Sequence, residues 1–273
     1  MISVYRARVP IPYPELSDLL DDLVSSARAI LADDLFGFYV VGSFAVGDAD
    51  LQSDCDFIAV TRRPLTSGQE SHLRALHGEI PTRNGLWTKN LEGSYAPVDD
   101  LGTLDSLGRQ WLYIDRGWRK MQWSTHCNSL EQRWALRERG VVLAGPSPDT
   151  FAARVPATLL RASMAARLPR LLDDLATWID IDKIAWGQRY AVESLCRMFW
   201  TFTDGQVHSK AASLDWAVQE FDQRWTPLLR QVRADRSRPW NPSEPPRDGS
   251  IHLTRAFSAE VLSRVRRGAP NLL

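Results

Sequence analysis

The sequence predicts an α/β N-terminal half followed by an all-helical C-terminal half. Two patterns carry that expectation. Up to about residue 155, short apolar runs alternate with stretches of helical period. From Pro156 onward the helical period runs alone, and no internal repeat interrupts either half.

The elements follow in order. Residues 14–32 place Leu16, Leu19, Leu20, Leu23, Val24, Ala27, Ile30 and Leu31 on one helical face. FGFYVV (36–41) is an apolar, aromatic run that stops at Gly42, as a buried strand does. CDFIAVT (55–61) predicts a second strand. Residues 67–80 open with Ser67 and carry Glu70 three positions on, a capping-box spacing. A third strand is centred on Leu91 to Tyr95, within 86–98. A helix over 129–140 closes at Gly140, and VVLAG follows as a short strand. In the second half, residues 156–179 are helical with a kink at Pro169. Further helices span 187–205, 209–221, 226–235 and about 251–267, with a proline-rich linker over 236–249.

Composition narrows the function classes. The chain has 273 residues, 44% hydrophobic and 24% charged, as in an ordinary globular protein. Thirty-three basic residues balance 33 acidic ones, so net charge gives no pull toward nucleic acid or a membrane surface. The three cysteines, Cys55, Cys127 and Cys196, are isolated, which fits a reducing cytoplasm better than a disulfide or zinc framework. MISVYRARVPIPYPEL lacks the apolar core of a signal peptide, and no run approaches a membrane span. Most of the eleven tryptophans are expected in the core or in pocket walls.

The chemistry concentrates in VVGSFAVGDADLQSDCDF, residues 40–57. Asp54 and Asp56 stand at i and i+2, so in a strand both point to one face and Cys55 to the other. Adjacent carboxylates repel, and a hard divalent ion with oxygen ligands relieves them. Gly42 lets the backbone approach a ligand closely, and a helical turn starting at Ser43 offers backbone N–H groups and a hydroxyl to a phosphate. Phosphate donors beside metal-binding carboxylates suit phosphoryl or nucleotidyl transfer.

GSFAVGDADLQSDCDFIAV resembles the GS…[SD]xD signature of the DNA polymerase β-like nucleotidyltransferase superfamily. LEGSYAPVDDL (91–101), LRERGVVLAGPSP (136–148) and SLCRMFWTFTDGQVHSKAASLDWA (194–217) resemble stretches of the aminoglycoside adenylyltransferases that modify streptomycin and spectinomycin. The resemblance covers about residues 35–230. It implies a nucleotidyltransferase domain with a mixed sheet over 1–155 and a C-terminal helical-bundle domain over 156–273. It implies Asp54 and Asp56 as Mg²⁺ ligands and Gly42, Ser43 and Ser53 against the triphosphate. Glu92, expected on a neighbouring strand, falls at the position of the family's base. Lys210 matches a lysine on the ATP phosphates, and Arg197 a position near the nucleotide.

The implied reaction transfers AMP from ATP to a hydroxyl of a small molecule, an aminoglycoside first. Another small metabolite, a protein side chain, or nucleotide binding without turnover are the alternatives. The implied partners are ATP and that acceptor, with no nucleic acid or membrane, in a monomer or homodimer. One part departs from the family. The place of its drug-gripping acid falls near Gly187, where no acid stands; Glu193, Asp180 and Asp182 are nearby. Trp123 is expected as a wall of the acceptor pocket and His126 as a polar contact there.

Overall fold

A computed structural model describes residues 11–51 and 53–268. The N-terminal stretch through Pro10 and the last five residues, including the expected outer domain limits, lie outside the described residues. The described chain divides into two units, the first reaching Val155 and the second starting at Pro156; Asp50 and Leu51 group with the second.

The first unit runs α1 (Pro14–Leu31), β1 (Leu35–Val40), α2 (Gly42–Ala45), β2 (Cys55–Thr61), α3 (Ser67–Glu79), β3 (Leu91–Pro97), α4 (Val98–Leu101), β4 (Trp111–Ile114), β5 (Gln122–Ser124), α5 (Leu130–Arg139) and β6 (Val141–Ala144). The strands form one mixed sheet in the order β5-β4-β3-β2-β1-β6. Only β2 and β3 run parallel; the other neighbours are antiparallel. Parallel neighbours need a crossover, and α3 lies in the one that joins them.

Alternation along the strands separates two cores. Phe38 and Val40 of β1, Cys55, Phe57 and Ala59 of β2, Leu91 and Tyr95 of β3, and Leu112 and Ile114 of β4 point to one face. There they pack under Leu16, Leu20, Leu23 and Leu31 of α1 and Leu73 of α3. Tyr39, Ile58, Val60, Ala96, Trp111 and Tyr113 point to the other, where Leu136 of α5 packs. Residues at odd and even positions cannot share a face, so the register of each strand is set by the burial of both sides.

His77 is the polar exception under the first face. Its ring stacks on Phe57 at 5.7 Å between centroids, and its Nε2 is 2.9 Å from the Tyr95 hydroxyl. Full burial penalises the imidazolium and pulls its pKa down to about 4.

Several local expectations shift. The capping box forms one residue earlier than Ser67 and Glu70 suggest: Thr66 accepts from the Gln69 N–H, and the Gln69 side chain returns to Thr66. Gly140 ends α5 with φ −52°, so no left-handed cap forms there. The strands β4 and β5 and the turn α4 were not legible as elements. Only Trp87, Trp111, Trp134 and Trp225 are buried among the eleven tryptophans, while Trp118, Trp123, Trp178 and Trp240 are exposed.

The second unit runs α6 (Ala157–Arg167), α7 (Leu171–Ala176), α8 (Ala185–Asp204), α9 (Lys210–Glu220), α10 (Thr226–Asp235) and α11 (Ser250–Gly268). Pro169 breaks the 156–179 stretch outright, with a 3₁₀ turn at Leu168–Arg170 between α6 and α7. α8 is the axis: Val192, Leu195, Cys196, Phe199 and Phe202 pack with Leu214 and Ala217 of α9, Leu229 of α10 and Phe257 of α11. Gly205 closes α8 at φ +73°, as expected of a left-handed cap. The segment to α9 is then pinned, because His208 stacks on Trp200 at 3.6 Å and its Nε2 is 2.7 Å from Asp204. The proline-rich segment 236–249 is held rather than loose. Glu244 takes the Ala185 N–H and pairs with Arg189 and Arg238, and Arg247 pairs with Asp235 at 2.7 Å.

Among the described residues, no helix is long and apolar enough to cross a membrane. The three cysteines are buried and free.

Candidate active site

The parallel pairing of β2 with β3 sets Asp56 directly against Glu92. Both are at even positions, on the face shared with Ile58 and Ser94, and Cys55 is buried on the opposite face. Asp54 precedes β2 with the same parity. The i, i+2 expectation for the two aspartates and the neighbouring-strand expectation for Glu92 therefore describe one geometry.

Gly42 closes the site from β1. Its φ is +63°, and a Cβ built there would lie 1.8 Å from Asp56 Oδ2. The missing side chain makes room for the carboxylate, and the backbone conformation suits only glycine. The Val41 N–H donates to the Asp56 carbonyl at 2.9 Å, which locks this turn to β2. α2 begins at Gly42, one residue before the expected Ser43, and is a single turn of four residues. Ser43 Oγ donates to the Asp54 carbonyl at 3.4 Å. Ser53 is half-buried in the approach to β2.

Two groups that sequence reasoning did not place there complete the surroundings. Arg116, in the turn after β4, sets Nη1 2.6 Å from Asp54 Oδ1. Its Nε donates to Asn90 Oδ1 at 2.9 Å, and the Asn90 amide is itself tied to the Leu86 carbonyl. His126, expected as a polar contact in the acceptor pocket, places Nε2 3.0 Å from Glu92 Oε1. The hydrogen bond to Glu92 raises the His126 pKa, with burial opposing it. Burial, with the negative charge of Glu92, pushes the Tyr113 phenol well up. Trp123 lies exposed on the edge strand β5.

The donor set suits a hard cation, since every candidate ligand atom is a carboxylate oxygen. Among the described residues, no group of three or more His, Cys, Asp or Glu side chains is placed to hold a metal ion. Asp54 and Asp56 would supply two ligands, leaving the remainder to substrate oxygens and water, the usual share for Mg²⁺.

The remaining expected residues lie in the second unit. Lys210 is the first residue of α9, capped by Ser209, as the sequence suggests. Its Nζ sits 4.8 Å from the centre of the Tyr190 ring. Tyr190 and Arg197 are two turns apart on α8, on one face. Glu193 is buried, with Arg236 Nη1 3.9 Å away, and Asp182 pairs with Arg255 at 2.8 Å. Asp180 pairs with Lys183 at 3.0 Å.

A mixed sheet that matches a third carboxylate to an Asp-x-Asp pair beside a Gly-Ser turn, with a helical unit after it, is a nucleotidyltransferase architecture. Residues 151–256 match the family described as aminoglycoside adenylyltransferase, C-terminal domain. The chain is 22% identical to a spectinomycin 9-adenylyltransferase of Campylobacter jejuni over 227 residues, 80% of this chain and 84% of that protein. It is 24% identical to a protein of the same name from Staphylococcus aureus over 251 residues, 85% and 87% of the two. A crystal structure of the spectinomycin adenyltransferase AAD(9) from Enterococcus faecialis with ATP and spectinomycin shares the fold. Its TM-score is 0.65 at 13% identity, over 92% of this chain and 99% of that one. The chain thus resembles the aminoglycoside adenylyltransferases along most of its length.

Proposed function

We propose that this chain is a Mg²⁺-dependent adenylyltransferase that moves AMP from ATP to a hydroxyl of an aminoglycoside-type antibiotic, with spectinomycin the first acceptor to test. The observation that carries the reading is the register match of Asp56 to Glu92 beside the side-chain-free Gly42. The names of the relatives support the acceptor class.

In this reading Asp54 and Asp56 hold the cation, and Gly42, Ser43 and Ser53 lie along the triphosphate. Bound Mg²⁺ supplies positive charge to the phosphate oxygens. Glu92 takes the proton of the acceptor hydroxyl as its oxygen attacks the α-phosphorus. The bond from that phosphorus to the bridging oxygen breaks, and pyrophosphate leaves with the electron pair. Lys210 and Arg197 contribute positive charge to ATP binding. The enzyme works in the cytoplasm, as a monomer or homodimer.

Incubation with ATP, Mg²⁺ and spectinomycin or streptomycin should release pyrophosphate and yield a product heavier by one AMP. Tight MgATP binding without turnover of either drug would sink the antibiotic assignment and leave the nucleotide site. Glu92→Gln should bind ATP normally and keep no more than about a thousandth of the transfer rate.

A further inference from the structure

We infer that His126 is a positioning residue for Glu92 and not a contact to the acceptor; the inference rests on the reading of Glu92 as the base. Its Nε2 stands 3.0 Å from Glu92 Oε1, and its ring lies beside that of Tyr113. A carboxylate offers about four lone-pair sites, so a donor on one oxygen orients it and leaves lone pairs for an incoming hydroxyl proton. A base must meet its proton at hydrogen-bond distance, so the plane of the carboxylate sets the rate.

The segment carrying His126 is built to hold it there. The pairing of Tyr113 with Gln122 brings β5 alongside β4, and the chain then turns back over Tyr113. The His126 ring lies 5.1 Å from the Tyr113 ring, tilted by 31°. The backbone N–H of His126 donates to Ser124 Oγ at 3.1 Å. Two residues on, the buried Asn128 donates to the carbonyls of Ser106 and Arg109, both at 2.9 Å, and accepts from Arg133 Nε at 2.7 Å. The ring is thus fixed on both sides along the chain and across the sheet. The charged and titratable groups facing it are Glu92 from β3, Tyr113 from β4, Asp115 from the turn after β4 and Asp56 from β2.

Full-length His126→Ala and His126→Gln decide the matter, assayed with ATP, Mg²⁺ and spectinomycin. His126→Ala should lower kcat about tenfold to a hundredfold, with KM for spectinomycin and ATP affinity unchanged within about twofold. His126→Gln keeps a donor near the same place and should recover a third or more of kcat. In the Glu92→Gln background, His126→Ala should cost nothing further, because the group it positions is gone. A raised spectinomycin KM at unchanged kcat would make His126 an acceptor contact and overturn the inference. A full additive loss in the double variant would overturn it too. If Glu92→Gln keeps full activity, the base assignment itself fails. If Glu92→Gln is inactive while His126→Ala is normal, only the positioning role fails. A readout without turnover also exists: the His126 ring Cε1–H resonance should titrate at lower pH in Glu92→Gln. An unchanged midpoint removes the contact.

Discussion

The two units carry different kinds of information. In the first, three carboxylates and one glycine, gathered around the paired β2 and β3, carry the proposed chemistry. In the second, buried apolar side chains along α8 define the packing, and this is the part that the family match covers. That family match rests on a helical core that tolerates few shape changes, while the proposed reaction rests on a few polar atoms in the other unit. A relative that shared only the helical core would not have to share the reaction.

The sharpest way to break that comparison is at the aspartates. Asp54→Asn or Asp56→Asn should cut transfer about a thousandfold or more and abolish metal-dependent ATP binding, with little change in melting temperature. Isothermal titration with MgATP and a thermal melt check both arms, and normal MgATP binding in both variants would remove the metal assignment. Gly42→Ala comes next. Its Cβ has no room beside Asp56 Oδ2, and the positive φ adds strain of about 1–2 kcal/mol. Activity should fall about a hundredfold, with a lower melting temperature.

The third prediction concerns acid. The folded-state pKa of His77, about 4, lies below its ordinary 6.5. The fold binds the neutral ring, so this contribution is complete above pH 6.5 and is lost as pH falls toward 4. The loss reaches up to about 3 kcal/mol and belongs to the first unit. Melting temperature followed from pH 7 to pH 4 should fall in wild type and flatten in His77→Gln; equal slopes would refute the buried neutral ring. The smallest effect is expected in the second unit. Lys210→Ala or Arg197→Ala should raise KM for ATP about tenfold and leave kcat nearly unchanged, measured by initial rates of pyrophosphate release. A larger loss than at the aspartates would reverse the division of labour.

Much of this was legible in the sequence, and the reasons are physical. Asp-x-Asp in a strand has only one face to occupy, and the Gly42-Ser43 turn ends an unambiguous apolar run. The strand from Cys55 to Thr61 is read to the residue because both flanks change character there. Trp111–Ile114 and Gln122–Ser124 escaped because four and three residues are too few for a period to show. The capping box slipped by one because Thr66–Gln69 and Ser67–Glu70 both satisfy the pattern, and only the chain's entry angle chooses between them. Arg116 and His126 were beyond reach as partners of Asp54 and Glu92, since a turn and a short edge strand place them and neither has a local signature. The nearest available signal was the expectation of His126 as a polar contact beside Trp123, and that is the segment on which His126 meets Glu92.

The parallel register of β2 and β3 has one more consequence. Seven consecutive residue pairs, from Cys55–Leu91 to Thr61–Pro97, index Asp56 to Glu92. The exposed loops on either side of α3 can therefore grow or shrink without moving the two carboxylates apart, while α3 itself stays tied to the core through Leu73 and His77. A single residue inserted inside either strand would turn one of them to the α1 side of the sheet. Homologues should accordingly vary in length around residues 62–66 and 84–86 while keeping both strands free of insertions, and grafted loops belong there.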